Sequence, residues 1–165
     1  MQGLEERTLR SRTVDAFERY VDLLDGLEQP HLRLPLDGGW TVSALLAHLS
    51  FWDRWTEARW DRFDRDGGFE HLPDSVLDLV NDSAMPAWLS VPARDAVELA
   101  RVAATSVTQR IEGLALESLR AAIESGRAAM VDRSVHWTPH LDEIRRAVSQ
   151  QPSAAQPAPP PAPRG

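Results

Sequence analysis

Apolar residues in this chain recur at three- and four-residue spacing, and nowhere do they alternate over a stretch long enough for a strand. That spacing stacks side chains on one face of an α-helix, whereas a half-buried strand needs a period of two. The pattern restricts the fold to all-α. Val14, Phe17, Val21 and Leu24 form one such stripe, with Asp15, Glu18, Arg19 and Asp22 between them. They predict a first helix from about Leu4 to Leu27, ended by Gly26 and Pro30. Thr41 is suited to cap a second helix, because its hydroxyl can accept from an unpaired first-turn amide. This helix is expected over 42–65, stopping at Asp66-Gly67-Gly68, with Val42, Leu45, Leu49, Trp52 and Phe63 on its apolar face.

A long connection follows, roughly Gly68 to Ser90, holding a short helix from Asp74 to about Ser83. Such a crossover joins bundle helices that are not antiparallel neighbours. Ser90 reads as the cap of a third long helix, with Pro92 in its first turn, where a missing N–H costs nothing. Ala100, Ala103, Val107, Ile111 and Leu114 give its buried face. A short helix over 117–124 and a turn at Gly126 lead to a last helix starting near Ser134, which buries Trp137, Leu141, Ile144 and Val148. The expectation is one domain over residues 1–150, a four-helix bundle with an up-down-type core and one long crossover. Residues 151–165 carry six prolines and no large apolar side chain, the composition of a disordered, partly polyproline-II tail.

Other features exclude whole classes of function. The net charge of −7 comes from 25 acidic and 18 basic residues, with arginines interleaved among Asp and Glu, so no basic stripe marks a nucleic-acid binder. The absence of cysteine excludes disulfides, thiolate metal sites and a cysteine nucleophile. No apolar run reaches membrane-spanning length, and MQGLEERTLRSR lacks the apolar segment of a signal peptide, so a cytoplasmic location is expected. The chain carries no G-x-S-x-G, P-loop, dinucleotide fingerprint or H-E-x-x-H.

The chemistry-bearing candidates are histidines. His136 and His140, in HWTPHLDEI, stand one helical turn apart and face the same side. They lie about 70–100° around the helix from the centre of its apolar stripe, a flank position that lines a cleft rather than filling the core. His48 lies beside the apolar stripe of the second helix, together with Trp55. Three imidazoles from two helices can make one face of a divalent metal and leave positions open, the arrangement of a catalytic site. The competing reading is that His48 is a core histidine bonded to a carbonyl and that the H-x-x-x-H spacing arises by chance, and residue spacing alone leaves both open. Pro139 between the two ligands fits a pair in the first two turns, or else breaks the turn and spoils the i, i+4 geometry. Trp52 and Trp55 share the side of His48 and are assigned to the pocket; the other tryptophans read mainly as packing mass.

GWTVSALLAHLSFWD, Gly39 to Asp53, resembles the DinB-like superfamily, whose members carry Trp, then Ser or Thr, then a helix ending in Leu-x-His-Leu. HWTPHLDEI, His136 to Ile144, is similar to the family's H-x-x-x-H-L-x-x-I. LVNDSAMPAW, Leu79 to Trp88, is a weaker echo. The resemblance covers most of residues 10–150 and excludes the tail. It implies a four-helix bundle holding a divalent metal on His48, His136 and His140.

The superfamily includes YfiT-type metal-dependent hydrolases, mycothiol-dependent maleylpyruvate isomerases and bacterial thiol S-transferases, in which the metal activates a low-molecular-weight thiol. Some of the isomerase group have Glu at the position of His136; His there places this chain nearer the YfiT-type and transferase branches. Pro139 is the main departure from the pattern. The resulting expectation is a Zn²⁺ or Ni²⁺ protein acting on a small electrophile by thiol transfer, with a thiol cosubstrate. The alternatives are a metal-dependent hydrolase and a non-catalytic sequestering protein. No motif identifies a general base. Glu143, three residues from His140, is suited to support that ring. A small molecule is the expected partner, with no nucleic acid and no membrane, and a homodimer is compatible with the sequence.

Overall fold

The computed structural model describes residues 2–151. The expected disordered tail, beyond Gln151, lies outside the described residues. Six α-helices follow one another: α1 Gln2–Gly26, α2 Val42–Asp66, α3 Asp74–Leu89, α4 Ala93–Glu112, α5 Leu116–Glu124 and α6 Ser134–Ser149. No strand occurs among the described residues, where the sole extended pairing is an isolated bridge between Pro35 and Thr41. No helix among them is long and apolar enough to cross a membrane.

The all-α expectation therefore holds. The long helices close a ring, with α2 on α4, α4 on α1, α1 on α6 and α6 on α2. Helix α3 lies against α2 as the crossover, and α5 against α1. One core fills the ring, with Trp60, Trp137, Tyr20, Leu46, Leu49 and Ile111 among its largest fully buried side chains.

The helix ends follow capping chemistry. The Thr41 hydroxyl accepts from the Ala44 amide at 3.2 Å, as expected. Helix α2 closes on Gly67 in the left-handed conformation (φ 76°), whose N–H reaches the Phe63 carbonyl. Before α2, Gly38 and Gly39 both take positive φ, and this tight turn brings Trp40 back toward the helix.

Three expectations need correction. Helix α3 does not stop near Ser83 but runs to Leu89 through Pro86. Pro86 and Asp82, whose carbonyl loses its helical partner, are both exposed residues. Ser90 consequently ends α3, its hydroxyl donating to the Ala87 carbonyl, and does not cap α4; Pro92 stands at that cap, without a side-chain hydrogen bond. On α1, full burial falls on Ala16, Tyr20 and Leu24 together with the polar Glu6 and Thr13, while Val14, Phe17 and Val21 are half-buried. The stripe turns toward Thr13 because its hydroxyl has tertiary partners, donating to the Val131 carbonyl at 2.6 Å and accepting from the Arg133 amide at 2.9 Å.

Candidate metal centre

Helix α2 supplies His48 from its second turn, and α6 supplies His136 and His140 from its first two turns. Pro139 is accommodated in α6 without a break. Its missing N–H would have met the carbonyl of Val135, a residue that is 57% exposed, so the lost bond lies on the outer face of the helix. The i, i+4 geometry survives.

The three rings sit at the corners of a nearly equilateral triangle, each pair of centroids 5.2 Å apart. One nitrogen from each ring lies within 4.8 Å of the others. The Nε2 atoms of His48 and His136 are 3.2 Å apart. Two nitrogens about 2.0–2.1 Å from a tetrahedral zinc ion stand about 3.3 Å from one another, so this spacing fits a shared cation.

The rings are held neutral, as ligation requires. Burial, then the nearby His140 and Arg133, pushes His48 down to about 3. His136 is held well below the ordinary histidine value by burial, then by Arg133 and the two other rings. Burial also lowers His140, with Glu143 opposing. Glu143 Oε2 is 3.8 Å from His140 Nδ1, so a carboxylate stands beside that ring.

Behind His136 lies a polar network that periodicity does not reveal. Asp53 is fully buried and accepts from Arg133 Nε at 3.1 Å, Arg133 Nη2 at 2.8 Å and Trp137 Nε1 at 3.0 Å. Burial raises the Asp53 pKa, with the Arg133 charge opposing. Arg133 Nη2 also donates to His136 Nδ1 at 3.1 Å. With Nδ1 accepting, the neutral ring carries its proton on Nε2, which donates to His48 Nε2. The proton on His48 is then at Nδ1, which is buried without a hydrogen-bond partner among the described residues. Spacing and neutrality therefore fit a divalent cation. The Arg133 contact is the feature that must rearrange, because a ligating Nε2 cannot keep its proton.

A pocket of about 850 Å³ opens from the histidines along α2. His48, Trp52, Thr56 and Arg59 form a line of wall residues down one face of that helix. Trp55 lines the pocket, and so does Trp40, whose ring stands 5.4 Å from His48 and stacks on Trp88 at 5.7 Å. Helix α3 closes the opposite wall, and its Asn81 accepts from Trp52 Nε1 at 2.9 Å.

The structure thus brings together His48, His136, His140, Glu143, Trp52 and Trp55. Sequence reasoning missed Asp53, Arg133 and Trp40. Family models, curated proteins and solved structures give no match to this chain.

Proposed function

We propose that this protein is a DinB-like metal-dependent enzyme that transfers a low-molecular-weight thiol to a small electrophile. The observation that carries the reading is the triangle of three neutral imidazoles at the end of an aromatic pocket. His48, His136 and His140 would hold Zn²⁺ or Ni²⁺. A divalent ion supplies Lewis acidity there, lowering the pKa of a thiol or water brought against it. Glu143 would orient His140, and Arg133, held by Asp53, would release His136 Nδ1 so that the His136 proton can move there from the ligating Nε2. Trp52 and Trp55 cover the apolar body of a ligand and exclude water. The chain has no cysteine, so the thiol must enter as a cosubstrate. We read the protein as cytoplasmic, with a small molecule as its partner.

The size and aromatic lining of the pocket also support a second reading, sequestration of an apolar metabolite without turnover. Turnover assays separate them. Mycothiol, bacillithiol, glutathione and water are offered with a panel of electrophiles, before and after chelation. Thiol transfer requires product formation that depends on both metal and thiol. Metal-dependent turnover indifferent to every thiol would replace it with hydrolysis. Tight binding of an apolar ligand without product would establish sequestration.

A further inference from the structure

The pocket is long, and its two ends differ in chemistry. Along α2, Arg59 stands eleven residues beyond His48, about 16 Å down the helix axis. At that far end Arg127, from the segment after α5, joins Arg59 in the pocket wall. Both arginines are oriented by groups other than carboxylates. Arg59 donates to the Glu70 carbonyl at 2.8 Å and lies over the Phe69 ring at 5.9 Å. Arg127 donates to His71 Nδ1.

Neither guanidinium is within 4 Å of a carboxylate among the described residues. The nearby Glu70 carboxylate is engaged by Arg62 at 3.2 Å. By contrast, Arg133, the third arginine of the pocket, is neutralised by Asp53. Burial, followed by the like charge of Arg127, lowers the Arg59 pKa, with Glu70 opposing. Two half-buried cations, held by the consecutive residues Glu70 and His71, therefore line one pocket without a paired carboxylate. The acidic wall residues Asp74 and Asp78 are exposed, so solvent screens them more strongly.

We propose that Arg59 and Arg127 form an anion subsite, which takes the carboxylate of an elongated, largely apolar small molecule whose other end reaches the histidines. Guanidinium forks suit planar carboxylates, and Trp52 and Trp55 lie between the two ends to cover the apolar part. The placement of the reactive end rests on the proposed function; the anion subsite stands independently of it.

The test uses a matched pair of probes, pyrenebutyrate and its neutral counterpart pyrenebutanol, titrated against the full chain by tryptophan quenching. The carboxylate should bind about tenfold tighter than the alcohol. The preference should vanish in the Arg59→Gln/Arg127→Gln variant and persist in His48→Ala. Equal binding of the two probes to the unmodified chain, or an undiminished preference in the double glutamine variant, would overturn the subsite. Both arginines are partly exposed, and circular dichroism together with the Arg59→Lys/Arg127→Lys variant, which keeps the charge, controls for misfolding. Metal content is measured on the same samples, so failure of the metal centre leaves a distinct signature: no metal, with the carboxylate preference intact. Competition locates the anion's source. Displacement of pyrenebutyrate by S-methylglutathione assigns it to the thiol cosubstrate, and displacement only by carboxylate-bearing electrophiles assigns it to the substrate.

Discussion

Replacing Asp53 by Ala should be among the most destabilising single changes in the chain. The Asp53 carboxylate is fully buried, and the Arg133 side chain is 7% exposed. Truncation leaves the guanidinium with only the Ala129 carbonyl at 3.4 Å and His136 Nδ1 as acceptors, and Trp137 Nε1 with none among the described residues. Breaking a buried ion pair from one side costs about 3–5 kcal/mol. The orphaned indole N–H adds about 1–3 kcal/mol. A total near 4–8 kcal/mol is a large part of the roughly 5–15 kcal/mol that stabilises a domain. With an m-value of about 2 kcal/mol/M in urea, the midpoint should fall by about 2–4 M. Urea titration by tryptophan fluorescence, in chelator so that metal linkage does not intrude, measures the shift. Arg133→Met alone should be comparably costly. The Asp53→Ala/Arg133→Met pair should cost less than the sum by several kcal/mol, because the double change leaves neither charge unpaired. A midpoint shift below about 0.5 M, or strict additivity, would refute the claim that Asp53 and Arg133 form a buried, mutually compensating ion pair.

Further outcomes follow from the same geometry. The apo protein should lose stability on acidification. His48 titrates near 3 when folded, against 6.5 when unfolded, so its contribution is complete above the unfolded value and declines as pH falls below it. At about pH 5 the loss from His48 alone is about 2 kcal/mol, with His136 and His140 shifting in the same direction. Chelated samples of the unmodified chain and His48→Gln, unfolded between about pH 5 and 7.5, should differ in slope, and equal slopes would contradict a buried neutral His48. Gly67→Ala should cost about 1 kcal/mol in thermal unfolding, because φ there is +76°. Gly68→Ala, at a position with open space and ordinary φ, should cost much less, and equal losses would discount the left-handed cap.

What the sequence disclosed follows from the reach of local signals. His48 and the His136/His140 pair were legible because each lies on the flank of a helical stripe, a property fixed by spacing within one element. Thr41 was legible for the same reason, since its partner is the amide of Ala44. Asp53 and Arg133 were not, because their pairing joins residues 80 apart, and a charged residue on a helix ordinarily signals a solvated face. The burial of Thr13 beneath Val131 and Arg133 depends on partners 118 and 120 residues away, and it turned the inner face of α1 away from the Val14 stripe. Pro86 and Ser90 carried correct local chemistry that led to the wrong boundary. An exposed proline can be carried through a helix, and a serine after an apolar run can close one helix as readily as open the next.

The central claim is that His48, His136 and His140 hold one divalent ion, and elemental analysis tests it most directly. Purified protein is dialysed against Zn²⁺ or Ni²⁺, desalted and assayed beside His48→Ala, His136→Ala, His140→Ala and the triple variant. Urea unfolding of the same samples confirms that each variant is folded. The account requires about one metal ion per chain in the unmodified protein, sharply reduced occupancy in each single variant and none in the triple variant. Full occupancy in the folded triple variant, or no metal retained by the unmodified protein with either ion, would contradict it.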